Sequence, residues 1–175
     1  MLTTIALVFA VLIIGVLIIV ATRPDTFTIE RTGTIAAPPE KVFPLIDDFK
    51  SWGAWSPWEK KDPAMQRSFG AITSGKGATY AWSGNKDVGQ GSMEITESVP
   101  SSRVVLNLDF LKPFEAHNTV DFALTPAAGG SAVRWRMQGR NNFIAKIMHL
   151  FMNIDKMVGK DFEAGLANLK AAAET

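Results

Sequence analysis

The 175-residue chain is 47% apolar and 20% charged, with 18 basic and 17 acidic residues interleaved for a formal net charge of +1, which fits one globular domain plus a small extra element. It lacks the clustered Lys and Arg with which nucleic-acid binders neutralise phosphate, so no nucleic-acid partner is expected. Cysteine is absent, which removes disulfides, a thiol nucleophile and cysteine-ligated zinc, and the two histidines, His117 and His149, fall in no metal-binding spacing, so neither metal nor cofactor is expected.

The first element is the apolar run Leu2 to Thr22, LTTIALVFAVLIIGVLIIVAT, which carries no charge. As a helix it would be roughly 31 Å long, matching a hydrocarbon core of about 30 Å. No basic residue precedes it and no A-x-A site follows, so a retained anchor is expected over a cleaved signal peptide. Residues 1–22 are read as a transmembrane anchor and 23–175 as the domain of a single-pass cell-membrane protein. Arg23 and Arg31 follow the span, with Asp25 and Glu30 between them. The positive-inside rule therefore leans to a cytoplasmic domain without deciding the side.

In TFTIERTGTI, Thr26 to Ile35, the residues Phe27, Ile29 and Ile35 share one parity, the period of a half-buried strand. AAPPEKVFPLIDDF comes next. Pro39 suits a first helical turn, Glu40 its positive end, and Val42, Phe43 and Ile46 supply an apolar face, while Pro44 restricts the helix to a short, kinked one ending near Asp48. The stretch KSWGAWSPW, residues 50–58, then sets three tryptophans three apart in a Gly- and Pro-broken segment. Each such ring buries on the order of 200 Å². Together they need a large partner surface or a cavity.

Six alternating runs follow, at 65–69, 78–83, 91–98, 103–110, 115–125 and 131–139, each closed by turn residues in the manner of an antiparallel meander. Between the first two, GAITSGKG begins like a phosphate-binding loop. Gly77 stands where Ser or Thr would hold magnesium, and strand rather than helix follows, so Lys76 is assigned to an exposed hairpin turn. The last element starts at Asn142, a suitable N-cap, and repeats apolar residues from Ile144 to Leu169 at spacings of three and four, as one long amphipathic helix. Gly159 and Gly165 inside it each cost about 1 kcal/mol relative to Ala. A close approach to the sheet, or room for a ligand, has to offset them.

One strand, a short helical insert, six more antiparallel strands and a long C-terminal helix predict an α+β fold, a curved sheet of about seven strands wrapped around that helix. Alternation turns Tyr80, Trp82, Met93, Ile95, Val99, Phe110, Val120, Phe122, Trp135 and Met137 inward. Four polar residues, Arg31, Arg67, Glu97 and Asn118, fall on the same parity, where each must be paired, at an edge or bulge, or facing a wet cavity. His117 has outward parity and reads as a solvated strand residue.

The tryptophan segment should close one end of this cup. Candidate ligand contacts are Trp55, Trp58, Tyr80, Trp82, Phe110, Asn118, Trp135, Met148 and Phe151 around an aromatic-lined cavity. The alternative is that these rings simply fill the core. No nucleophile and base stand in a recognisable pair. The catalytic candidates are Glu97, a general acid or base if it is enclosed in an apolar pocket, and Asn118, a donor to a developing oxyanion.

Four stretches taken together, APPEKVFPLIDDFKSWGAWSPWEKKDPAM, YAWSGNKDVGQGSMEITE, FLKPFEAHNTVDFAL and NNFIAKIMHLFMNIDKMVGKDFEAGLANLK, resemble the START-like, or SRPBCC, superfamily with its helix-grip fold. The resemblance is to the bacterial polyketide cyclase/dehydrase branch and covers residues 25–172. It implies a deep hydrophobic cavity between sheet and helix for lipids, sterols, polyketides or other apolar ligands, often behind an N-terminal anchor, and it carries no shared catalytic motif. The expected function is a membrane-anchored binding protein for a small hydrophobic ligand, lipid, isoprenoid or polyketide-like. The alternatives are a cyclase-, dehydratase- or hydrolase-type enzyme using the same cavity, and a ligand-free domain that regulates a membrane partner, with a filled core and an exposed apolar patch.

Overall fold

The structure is a computed structural model that describes residues 1–175, the side chains of Leu2 and His149 excepted. Helix α1, Leu2–Ala21, is apolar throughout, exposed along nearly all of its length and long enough to be a candidate membrane span. A four-residue connection leads to β1, Thr26–Ile35, and then α2, Pro39–Asp47, with Pro39 at its start and Pro44 inside. The tryptophan segment forms a single 3₁₀ turn, Phe49–Ser51, and two short helices, α3, Trp52–Trp55, and α4, Pro57–Lys61. Pro57 begins the second of these because its missing N–H is unpaired in a first turn anyway.

The meander then runs β2, Gln66–Phe69; β3, Thr79–Ser83; β4, Gln90–Val99; β5, Arg103–Lys112; β6, Ala116–Ala127; and β7, Gly130–Arg140. All seven strands join one antiparallel sheet in the order β1-β7-β6-β5-β4-β3-β2, the chain closing on itself where β7 pairs with β1. One face is lined by Ile29, Ile95, Leu106, Phe122 and Trp135, all buried, and α6, Ile154–Glu174, lies across it through Phe162, Leu166 and Leu169. This is the helix-grip arrangement.

Two expectations are corrected. The single long C-terminal helix is two helices, α5, Phe143–Phe151, and α6, because Met152 is extended and Asn153 starts a new helix by accepting a hydrogen bond from Lys156 N at 2.8 Å. In β4 a bulge lies between Ile95 and Glu97, so the residues beyond it change face. Glu97, expected inward, sits on the outer face opposite Val105, and Val99 is likewise exposed.

Candidate ligand-binding site

The tryptophans pack against one another and against the middle of the sheet. Trp52 donates its indole N–H to Ile46 O at 2.9 Å and Trp55 to Leu45 O at 2.7 Å, which ties the segment to α2. Trp55 stands edge-on to Phe122 at 6.1 Å and Trp135 at 5.5 Å, and Trp135 is stacked on Phe162 of α6 at 4.2 Å. Trp58 closes the group edge-on to Trp135 and Phe162. The glycines of α6 serve this packing. A Cβ on Gly165 would lie 2.6 Å from the Trp135 ring, and one on Gly159 would collide with the Arg31 guanidinium. The space that the sequence left open for a ligand at these two glycines is occupied by side chains from the sheet. The Trp135 indole N–H is buried there without a hydrogen-bond partner among the described residues.

Tyr80, Trp82 and Phe110 form a second group nearer the β2 edge, with Tyr80 stacked on Trp82 at 6.1 Å and Trp82 edge-on to Phe110 at 5.7 Å. The Tyr80 hydroxyl donates to Glu59 Oε1 at 2.6 Å, and Arg67 Nε donates to Glu59 Oε2 at 2.6 Å. Burial first, and then the Glu59 carboxylate, push the Tyr80 hydroxyl above its ordinary range, so it remains a donor.

The four polar residues of inward parity each take a different route. Arg31 donates to Glu163 at 2.8 Å and to both oxygens of Asp155 at 3.1 Å, pinning β1 to the start of α6. Arg67 lies on the edge strand and pairs with Glu59. Glu97 is turned out by the bulge, half exposed and 3.3 Å from Arg103, so it lacks the enclosure that acid–base work would need. Asn118 stays inside, 7% exposed, and its carboxamide makes no hydrogen bond to any described residue.

Asn118 lies in the inner row Phe27, Gly139, Asn118, Leu108, which runs across β1, β7, β6 and β5 near the end of the sheet where α1 joins. Gly139 makes this row possible. A Cβ there would strike Asn118 Oδ1 and come within 2.7 Å of the Phe27 ring. Two clefts open at this end and share Thr26 and Phe27. One, of about 530 Å³, lies between β1 and the α5–α6 break, lined by Phe27, Ile29, Lys146, Phe151, Met152 and Ile154 among others. The other, of about 580 Å³, opens over the ends of β5, β6 and β7, lined by Phe27, Asp109, His117, Asn118, Gln138 and Arg140 among others. His117 accepts or donates at 2.7 Å from Asp109 and lies 3.4 Å from Glu115; the Asp109 bond chiefly raises its proton affinity. Its side chain is 69% exposed, as its outward parity implied.

Of the candidate contacts, Trp55, Trp58 and Trp135 are thus brought together in the ring core, and Tyr80, Trp82 and Phe110 in the second group. Asn118 and the 82%-exposed Phe151 are set at the clefts. Met148 is half-buried in α5. Phe27, Gly139, Lys146 and Ile154 complete the clefts and were not among the candidates. Gly139 carried a signal, since glycine within a strand marks a close approach.

Solved structures of low sequence identity share the fold. One is a protein from Chromobacterium violaceum, 16% identical with a TM-score of 0.61, covering 87% of this chain and 99% of that one. Another is Ara h 8.0201, 17% identical with a TM-score of 0.55, covering 85% and 95%. A third is DynU16 of the dynemicin biosynthetic locus, 14% identical with a TM-score of 0.59, covering 87% and 48%. No curated protein matches the sequence. Residues 26–174, all of the chain from β1 to the end of α6, match the model of the family described as polyketide cyclase / dehydrase and lipid transport, and the chain belongs to that family.

Proposed function

We propose that the chain is a membrane-anchored binding protein for a small hydrophobic molecule, a lipid, isoprenoid or polyketide-like compound, with residues 1–22 as the anchor and 23–175 as the binding domain. The ligand enters between the sheet and the C-terminal helix through the cleft at the α5–α6 break. One observation carries this reading: both clefts lie at the end of the domain that α1 enters, with Thr26 and Phe27 of β1 common to the two. Their volumes fall in the range of small-molecule sites, which is about 300–1,000 Å³. An apolar body would lie along Phe27, Ile29, Phe151 and Ile154 in the first cleft, and a carbonyl or hydroxyl reaching past Phe27 to the second would meet the Asn118 amide. The family's description as cyclase, dehydrase and lipid transport supports an apolar ligand.

The ring-filled interior and the exposed apolar residues of α5 favour a second reading, the ligand-free domain that regulates a membrane partner. Full-length protein, extracted in mild detergent, separates the two. A stoichiometric lipophilic molecule, found by mass spectrometry, released on denaturation and reduced at least several-fold in Asn118→Ala, supports binding. Empty protein, whose tryptophan fluorescence and melting temperature are unmoved by lipids, quinones and polyketide-like aromatics, would leave the second reading standing.

A further inference from the structure

The described surface holds a cluster of exposed apolar side chains outside α1, of which the binding reading uses only Phe151 and Met152 at the cleft mouth. On α5 Phe143 is 53% exposed, Ile144 54% and Phe151 82%, and Met152 and Met157 extend the patch onto the start of α6. Ile144 and Phe151 are seven residues apart and share one helical face, with Phe143 beside them. Exposed apolar area of this kind on an amphipathic helix implies a covering partner.

The position of α5 identifies the partner. Ala21 ends α1 and Thr26 begins β1, so the connection spans no more than roughly 18 Å even fully extended. Within that reach, α5 touches α1, and Val20 in the last turn of α1 is fully buried. The helix therefore lies at the level where a membrane-spanning α1 would leave the hydrocarbon. The charges agree. Asp25 lies beside Lys146 and Arg140, Arg31 is shared between Asp155 and Glu163, and Arg23 and Lys156 make no ion pair among the described residues, which leaves these two for anionic headgroups.

We propose that α5 is a second membrane contact, an interfacial amphipathic helix that seats its Ile144–Phe151 face among lipid headgroups and acyl chains beside α1. The mouth of the α5–α6 cleft is then held at the bilayer surface. This rests on the reading of α1 as a membrane span. Interfacial helices of this type bury their apolar face about 5–10 Å into the headgroup–acyl boundary. A lipophilic ligand could thereby pass from bilayer to cleft without crossing water.

The chain has no cysteine, so single-cysteine variants of the full-length protein give clean probes. Fluorescent labels at Leu12→Cys in α1, Ile144→Cys, Phe151→Cys and Ala128→Cys, in the β6–β7 hairpin at the opposite end of the sheet, are compared in vesicles of phosphatidylcholine and phosphatidylglycerol. Quenching by doxyl-labelled lipid is measured against quenching by aqueous iodide. Labels at 144 and 151 should be quenched by the lipid several-fold more than the label at 128, and protected from iodide. If they behave like the label at 128, the face is turned to water and the proposal fails. If they are shielded from both quenchers, a protein or a second copy covers the face, which also overturns it. The label at Leu12 separates the two claims. Lipid quenching there with none at 144 and 151 refutes only the role of α5, whereas no quenching at Leu12 refutes the anchor and the α5 contact together.

Discussion

Replacing Gly165 by Ala asks what the glycines of the gripping helix are for. Ala is favoured over Gly in a helix interior by about 1 kcal/mol, so if Gly165 only kept room for a ligand, Gly165→Ala would stabilise the empty protein by about that amount. The structure predicts the opposite sign. The new methyl would stand 2.6 Å from Trp135 Cζ3 and 3.2 Å from Pro57 Cδ, so the ring would have to retreat by roughly 0.8 Å to restore ordinary contact at 3.4 Å. It cannot do so freely, because Phe162 is stacked on it at 4.2 Å and Trp55 stands against it at 5.5 Å. Overpacking of a rigid core costs about 1–3 kcal/mol, and a ring held by neighbours belongs near the upper end.

Subtracting the helix-propensity gain leaves a net loss of about 2 kcal/mol, a fall in melting temperature of about 4–8 °C for a chain of this size. Thermal unfolding followed by near-ultraviolet circular dichroism reads the tryptophan cluster directly. Gly53→Ala is the control, since a Cβ at that helical position meets nothing within 4 Å. Gly53→Ala should leave stability unchanged or raised. If Gly165→Ala raises it equally, the close approach of α6 to Trp135 does not exist, and the filled interior derived from it must be abandoned.

Tyr80 is the single tyrosine of the chain, so its ionisation can be followed by absorbance near 295 nm without ambiguity. Burial and Glu59 raise its folded-state value above the ordinary one of about 10, so the phenol should stay protonated in folded protein beyond that pH. The corresponding stability is present below about pH 10 and is lost as pH rises through the folded value, because the unfolded chain gives up the proton first. Tyr80→Phe should cost about 1.5–2 kcal/mol in chemical unfolding through loss of a hydrogen bond to a charged group. His117 shifts upward through its bond to Asp109 and then to Glu115, so its NMR titration should lie above about 6.5 and fall back in Asp109→Asn. Its contribution to stability is complete below about pH 6.5 and disappears as pH rises through the folded value; a titration at or below the unfolded one contradicts the contact.

The strands were legible because alternation is a local signal, and each run in 65–139 became a strand within a few residues of its expected ends. The two departures arose where the apolar pattern continues across a structural break. Ile95, Glu97 and Val99 keep one parity in sequence, yet the bulge after Ile95 moves the latter two to the other face, and the extra residue, Thr96, leaves no mark in composition. Met148, Phe151, Ile154 and Val158 likewise keep helical spacing through residues that are not helical. Only Asn153 with Asp155 two positions on announced the second helix start, by the side-chain cap and the favourable charge in its first turn.

The site was legible where a residue violated the pattern and illegible where it satisfied one. Asn118 stood out as an amide on an apolar face, and of the four polar residues of inward parity it is the one with no side-chain hydrogen bond to another described residue, set against the second cleft. Phe27 looked like any other strand aromatic. Its role comes from a neighbour on another strand, Gly139, which removes a side chain and lets the Phe27 ring and the Asn118 amide meet across β7. The tryptophans pose the same problem in reverse. Three rings in nine residues are equally consistent with a lined cavity and a filled one, since both need the same apolar area, and the distinction lies in what faces them. Here Gly165 and Phe162 face them, one admitting the Trp135 ring and the other stacking on it. The clefts accordingly lie not at the centre of the grip but at its end, where Gly139 puts no side chain into the row between Phe27 and Asn118 and the helix is broken at Met152.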